Sequence, residues 1–270
     1  MPQLAPVKFA KPPVVEVVCG VLFGTPQPLK TVHIGLFAQS LRGEFPVVEE
    51  KDPLGPVIEP LPGHEQFTQL EFLTLPPLRR TWLISPDRRN LIQLQQDRFL
   101  FNWKKSEADD TYPSYQLVIE RFNSYLRRFA DFLVVEGIGC PTYRQYELTY
   151  VNHIQTSNGL DAGLGNILVD HIRTERKDRF LPEPEAFNWA TSYPLPNDSG
   201  RLHVIAQTAL RLDGGARTPI LRLDMTARGM PSNTDDDART AWFDVAHDWI
   251  THGFVDCTSA ALQEKYWERK

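Results

Sequence analysis

Apolar and polar residues alternate over residues 92–103, with a break at Gln96-Asp97. Alternation on both sides of a polar pair is typical of a β-hairpin, because successive side chains of a strand point to opposite faces. The second strand of this hairpin then carries three large aromatic rings, Phe99, Phe101 and Trp103, on one face. We therefore expect the hairpin to lie within a sheet and another element to pack on its aromatic face.

The same pattern predicts an ordered series of elements along the whole chain. A β-branched run predicts a first strand, and apolar residues three and four apart predict amphipathic helices. The predicted helices are 29–45, 113–137 and 235–254, followed by a further turn or two at 259–269. The predicted strands are 14–23, 67–75, 80–85, 91–95, 99–104, 144–155, 187–193, 201–212 and 219–227. Prolines and acids at 46–64 predict a long loop, and residues 160–173 are ambiguous.

The order of the predicted elements recurs. Each half reads strand, helix, antiparallel strands and long helix, with a pause at residues 137–141. This order predicts an α+β fold of two pseudo-repeated units, 1–140 and 141–270, packed as one compact unit. The layout resembles TATA-binding-protein-like and helix-grip folds. Such a fold-level analogy carries no function.

Composition and charge narrow the function classes. The 270 residues have a hydrophobic fraction of 41% and a formal net charge of −5, so the chain can bury a core and nucleic-acid binding is disfavoured. The three cysteines are widely spaced and do not suggest a disulfide framework or a zinc knuckle. No apolar run is long enough to span a membrane. We expect a cytoplasmic protein without a membrane segment.

Five motifs together suggest a family. They are Pro12-Pro-Val-Val-Glu-Val17, residues 93–104, Tyr112-Pro113, Tyr150-Val-Asn152 and residues 246–254. Their order and spacing resemble a sporadically distributed, functionally uncharacterised family of bacterial proteins, over nearly the whole chain. The resemblance implies a bacterial, cytoplasmic, single-chain protein of patchy occurrence, a pattern associated with mobile-element or defence genes. It implies no catalytic residues, since no activity is established for that family.

The candidate catalytic residues form no familiar constellation. His247 and His252 are five apart on a predicted helix and point to different faces, so the metalloprotease pattern is absent. Asp244, His247 and Asp248 share a face, which we interpret as a solvated surface with charge pairing. The sequence contains no Gly-x-Ser-x-Gly elbow and no P-loop. We predict no catalytic residue, no metal site and no cofactor.

Two asparagines on predicted strands, Asn102 and Asn152, are the more unusual feature. Asparagine is depleted in strands, and a buried amide costs about 1–3 kcal/mol unless it is paired. The two amides either pair internally and fix the strand register, or anchor a ligand or partner in an aromatic-lined groove. Five candidate interaction residues lie on the predicted hairpin, namely Gln93, Gln95, Arg98, Asn102 and Lys104, and the sixth, Asn152, lies on the predicted strand 144–155.

These observations lead to three functional hypotheses. The first is a non-enzymatic binding or interaction protein, with a protein partner or a second copy of itself on the hairpin sheet. The second is a small-ligand receptor or enzyme that uses a cavity between the sheet and a long helix. The third is nucleic-acid binding by a basic face of the sheet, which the acidic net charge disfavours.

Overall fold

The computed structural model describes residues 5–55, 57–59, 78–107, 110–155, 167–169, 180, 186–213, 215–231, 233 and 235–270. These residues form nine strands and four α-helices. The strands are β1 (Val14–Gly24), β2 (Val47–Lys51), β3 (Arg80–Ile84), β4 (Asn90–Gln95), β5 (Arg98–Lys104), β6 (Thr142–Gln155), β7 (Asn188–Pro194), β8 (Gly200–Asp213) and β9 (Ala216–Gly229). The helices are α1 (Thr31–Ser40), α2 (Tyr115–Val135), α3 (Asp236–Cys257) and α4 (Ala260–Lys265).

All nine strands belong to one antiparallel sheet, in the order β2-β3-β4-β5-β1-β6-β9-β8-β7. The long strands β1 and β6 lie next to each other near the middle, and each is flanked by the last strand of its own half of the chain. The predicted α+β class with an antiparallel sheet is confirmed. No helix among the described residues is long and apolar enough to cross a membrane.

The predicted hairpin is β4–β5, and its aromatic face is covered as expected. The α2 ring of Phe129 lies 5.3 Å from Phe99, and that of Tyr125 stacks on Phe101 at 5.7 Å. The Trp103 ring contacts Tyr112, just before α2, at 5.3 Å. The rings are therefore part of the core.

Several predicted boundaries are corrected. Residues 46–64 are not all loop, because β2 lies within them and pairs with β3 at the edge of the sheet. Its acidic and basic residues are typical of an edge strand and hid it from the hydrophobic pattern. The first helix is shorter than 29–45. The predicted strand 67–75 lies outside the described residues, as does most of the ambiguous segment 160–173.

The starts of the two long helices also differ from the prediction. Ser114, not Pro113, is adjacent to the first helical residue of α2, and its hydroxyl accepts a hydrogen bond from the Leu117 amide. Asp235 caps α3, and its carboxylate accepts a hydrogen bond of 2.7 Å from the Ala238 amide. Both caps satisfy an amide that the first helical turn leaves without an intrahelical partner.

The helices α2 and α3 pack side by side on the same face of the sheet. The rings of Phe122 from α2 and Phe243 from α3 lie 5.2 Å apart, and the Tyr146 ring of β6 lies 5.8 Å from Phe243. All three side chains are fully buried. The core is therefore continuous from α2 across the central strands to α3.

A segment after β2 crosses the opposite face of the sheet. Gln95 of β4 exchanges two hydrogen bonds with the Leu54 backbone, and Gln145 of β6 accepts from the Glu59 amide at 2.7 Å and donates to the Val57 carbonyl at 2.8 Å. The buried Glu59 carboxylate then reaches Arg201 and His203 of β8, at 2.6 and 2.7 Å. The segment thus joins the two halves of the sheet on this face.

Candidate functional site

The predicted interaction residues form an internal amide network on the sheet face opposite the helices. Gln93 donates from Nε2 to Asn102 Oδ1 at 2.9 Å, and Asn102 donates from Nδ2 to Glu16 Oε1 at 2.6 Å. Gln93 Oε1 also accepts from Arg80 and Trp82, each at 3.0 Å. Gln93 and Asn102 are 5% and 2% exposed. The network links β1, β3, β4 and β5, so it fixes their register.

The remaining predicted residues are dispersed. Gln95 and Arg98 are buried beneath the crossing segment, and Arg98 donates to the Gly55 carbonyl at 3.0 Å. Lys104 is exposed on the same face of the sheet. Asn152 is buried on the opposite, helix-bearing face, beside Tyr150. Five of the six side chains are buried, and the structure does not bring all six into one site. Their role in partner binding remains a prediction.

We expect Asn102→Ala to lower the free energy of unfolding by about 1–3 kcal/mol, because it leaves the buried Gln93 amide without its acceptor. The matched control is Lys104→Ala on the same strand. It removes an exposed side chain and should change stability by less than about 0.5 kcal/mol. Urea denaturation measures both. Equal, small losses would show that the amide network contributes nothing to the fold.

A cavity of about 770 Å³ lies on the helix-bearing side of the sheet. Its walls come from the start of α2, one face of α3, the end of β6 and the segment that precedes β1. Its volume falls in the range of small-molecule sites, which is about 300–1,000 Å³. The segment before β1 is held there by Phe9, whose ring contacts Phe254 of α3 and Trp267 at 5.6 and 6.2 Å.

Three hydrogen-bonding side chains form a chain on the cavity wall. The hydroxyls of Tyr112 and Tyr150 lie 2.9 Å apart, and the Tyr150 hydroxyl lies 2.9 Å from His247 Nδ1. The His247 Nε2 atom makes no hydrogen bond to any residue that the structure describes. The other ring nitrogen, Nδ1, is already bonded to Tyr150. Within this hydrogen-bonded series, Nε2 is therefore the ring atom that remains to bind a ligand.

Tyr115 fixes the position of the His247 ring. The two rings are parallel, with an interplanar angle of 3° and centroids 4.0 Å apart. The Tyr115 hydroxyl donates to Asp244 Oδ1 at 2.9 Å. A ring held by a stack on one face and a hydrogen bond at Nδ1 has little freedom to rotate. His247 is therefore held in one orientation at the cavity wall.

Burial displaces the pKa values of these groups from neutrality. It lowers the pKa of His247 to about 4, with a smaller contribution from the charge of His252, so the imidazole is neutral at pH 7. It raises the pKa of Tyr112, Tyr115 and Tyr150 above the ordinary tyrosine value, since the phenolate is disfavoured away from water. These four aromatic side chains are thus uncharged at neutral pH.

Asn152 contributes the buried amide of the cavity. Its Nδ2 donates to the Leu223 carbonyl of β9 at 3.1 Å, and the side chain is 4% exposed. Its Oδ1 accepts no hydrogen bond from the residues that the structure describes. A ligand in the cavity that supplies an N–H or O–H could donate to this atom.

The sequence interpretation of this α3 face as solvated is corrected for His247, whereas Asp244 and Asp248 are exposed. Asp244, His247 and Asp248 do share a face, as the spacing predicted, but that face lines the cavity. His247 is half-buried and bonded to Tyr150. The sequence did contain a signal for this site, because Tyr112, Tyr150 and His247 each lie in a different one of the five motifs named above. Nothing in the spacing showed that the three meet.

No family model matches the chain, and no curated protein matches it. Within the part of the chain that the structure describes, no group of histidine, cysteine and acidic side chains is arranged to hold a metal ion. The geometry of the cavity is therefore the main guide to function.

Proposed function

We propose that this protein binds a small ligand in the cavity between α2, α3 and the end of β6. The observation that carries the proposal is a cavity of about 770 Å³ lined by aromatic side chains and by the amide of Asn152, whose Oδ1 accepts no hydrogen bond from the residues that the structure describes. Ligand sites are typically apolar and aromatic, with a few polar groups that fix the orientation of the ligand.

We propose binding without turnover. General acid–base catalysis near neutral pH is most efficient when the pKa of the catalytic group lies near the working pH. The pKa of His247 is lowered to about 4, and burial raises the pKa values of Tyr112, Tyr115 and Tyr150. These four groups are therefore better suited to hold a ligand by fixed hydrogen bonds than to exchange protons with it.

In this proposal the binding site is the cavity, and not the face of the β4–β5 hairpin that the sequence suggested. A partner on the amide face would have to reach Gln93 and Asn102, which are buried and bonded to their neighbours. The cavity instead offers Asn152 Oδ1, to which no described residue donates a hydrogen bond. Of the functional hypotheses from the sequence, a receptor that uses a space between sheet and helix is the one with geometric support. Among the residues that the structure describes, we find no feature that favours nucleic-acid binding over the cavity.

A two-unit layout of the fold is a further part of the proposal. The strand order supports it, because the first strands of the two halves, β1 and β6, are neighbours at the centre and the last strands, β5 and β9, lie on either side of them. In each half, a long helix follows the last strand. The likeness to TATA-binding-protein-like or helix-grip folds, the bacterial family resemblance with its link to mobile-element or defence genes, and a cytoplasmic location are proposals that rest on the sequence.

A thermal-shift screen with amines, carboxylates, sugars and nucleotides tests ligand binding. A ligand at 100 times its Kd stabilises the native state by about 2.7 kcal/mol, which raises the Tm of a chain of this size by roughly 5–10 °C. Thr251→Trp fills the cavity from α3 and should abolish the shift.

The matched control is Thr240→Trp. Thr240 lies on the same helix, and its hydroxyl donates to the backbone carbonyl four residues earlier, as that of Thr251 does, but it does not line the cavity. This variant should retain the full shift. The proposal is wrong if no compound raises the Tm of the wild type, or if Thr251→Trp leaves the shift unchanged.

A further inference from the structure

The geometry points to an organic ammonium ion as the ligand, with its charged group at the end of the cavity formed by Asp244 and Asp248. This inference rests on the proposed function and adds the chemical class of the ligand. It stands on two carboxylates that form no ion pair with a described residue, on neutral aromatic side chains, and on two acceptor atoms without a donor among the described residues. Each of these features favours a cation that donates hydrogen bonds.

The first feature is a pair of carboxylates without a cation. Asp244 and Asp248 both line the cavity, and neither forms an ion pair with a residue that the structure describes. They lie four residues apart on α3, so their side chains are neighbours on the helix surface. Two like charges at this spacing destabilise a helix. A bound cation would remove that repulsion.

The second feature is the aromatic wall next to these carboxylates. The rings of Tyr112 and Tyr150 lie 6.1 Å apart edge to face, and the Tyr115 ring stacks on His247. The faces of aromatic rings carry negative potential and attract ammonium groups. These aromatic groups bear no positive charge at neutral pH, since His247 is in its uncharged form. An ammonium ion here meets attraction from the rings as well as from the carboxylates.

The third feature is the set of acceptor atoms. Asn152 Oδ1 lacks a donor, and His247 Nε2 also has no partner among the described residues. If Nδ1 of His247 carries the proton, it donates to Tyr150, Tyr150 donates to Tyr112, and Nε2 becomes an acceptor. The chain of three groups can therefore present an acceptor to the N–H groups of an amine.

Lys8, Lys270 and the amino-terminal end of α2 carry positive charge near the cavity and therefore oppose the binding of a cation there. Lys8 and Lys270 line the part of the cavity near Phe254, and the Lys270 amide donates to the Lys8 carbonyl at 2.9 Å. Phe254 is ten residues beyond Asp244 on α3, a distance of about 15 Å at 1.5 Å per residue. This exceeds the Debye length of about 8–10 Å, so the lysines act weakly at Asp244. Asp248 is six residues from Phe254, about 9 Å, so the lysines partly offset its charge. The α2 amino terminus adds only about half a positive charge.

The test compares three probes that share a phenyl group and a short chain: 2-phenylethylamine, 2-phenylethanol and 3-phenylpropionate. Each is titrated against the full chain at pH 7 by calorimetry and thermal shift. We expect the amine to bind at least about fivefold more tightly than the alcohol, as one added ion pair of about 1 kcal/mol predicts, and the carboxylate to bind least. Binding of the alcohol or carboxylate as tight as that of the amine would overturn the inference and leave the proposed function standing.

Two variants test whether the ammonium group of the ligand binds beside Asp248. Asp248→Asn should weaken amine binding about fivefold and leave binding of the alcohol unchanged. The control is Asp256→Asn, an exposed carboxylate on the same helix that does not line the cavity, and it should have no effect on either probe. An unchanged amine affinity in Asp248→Asn contradicts the inference. If none of the three probes binds and the wider screen also finds no ligand, both the inference and the proposed function fail.

Discussion

Replacement of Phe129 by alanine is expected to lower the free energy of unfolding by about 3–5 kcal/mol, the usual cost of emptying a buried phenylalanine site. Phe129 is 1% exposed. Its ring contacts Phe23 of β1, Phe37 of α1 and Phe99 of β5 at 5.5, 5.1 and 5.3 Å. Because rings from three elements surround it, the cavity left by the truncation has little room to collapse. This is the largest stability effect that we predict.

Urea denaturation of Phe129→Ala and Val135→Ala measures this effect against a control on the same helix. Val135 is 80% exposed near the carboxyl end of α2, and its truncation should change stability by less than about 0.5 kcal/mol. If Phe129→Ala costs less than about 1 kcal/mol, α2 does not pack on the β4–β5 hairpin as described.

The second large effect is a loss of stability on acidification that depends on His247. The pKa of His247 is lowered to about 4 in the folded protein, while the ordinary value is 6.5. Between these values the unfolded chain binds a proton that the folded chain does not, so stability falls as the pH drops from about 6.5 towards 4. The expected loss is at most about 2 kcal/mol at pH 5, since His247 is only half-buried.

His247→Phe separates this contribution from that of other groups. The variant keeps an aromatic ring against Tyr115 but does not titrate, so its stability should change less between pH 7 and pH 5 than that of the wild type. Urea denaturation at pH 7, 6 and 5 gives the two profiles. Parallel profiles for the two proteins would show that His247 is not buried in its neutral form.

The elements with a strong periodic pattern were the ones that the sequence predicted well. The β4–β5 hairpin, the long helix α2 and the long strands β6, β8 and β9 differ from their predicted bounds by only a few residues. Each has an apolar face that must be buried, so the pattern follows directly from the packing. The strand β2 was missed because an edge strand carries charges that resemble those of a loop.

The candidate site was harder to predict, because its parts come from distant segments. Asn102 and Asn152 were both recognised as unusual strand residues, but only Asn152 lies at the cavity. Which face of the sheet a residue takes can be inferred from alternation, whereas what covers that face depends on tertiary packing. The amides of Gln93 and Asn102 found partners on neighbouring strands, whereas the Oδ1 of Asn152 did not find one among the described residues.

His247 shows the same difficulty on a helix. Its spacing from Asp244 and Asp248 correctly placed the three residues on one face. Charged residues on a helix face are usually solvated, so the pattern favoured an exposed surface. The structure instead brings Tyr115 and Tyr150 against His247, and only the fold brings α2, α3 and β6 together.

The most direct test of the account is a spectrum of the histidine ring nitrogens with and without ligand. The chain has seven histidines, and we expect the compound that raises the Tm most to shift the ring ¹⁵N resonances of His247. His153 and His203 lie on strand positions that face away from the helices, and their signals should stay in place. Shifts at His153 or His203 with His247 unchanged would place the ligand on the other face of the sheet and contradict the account.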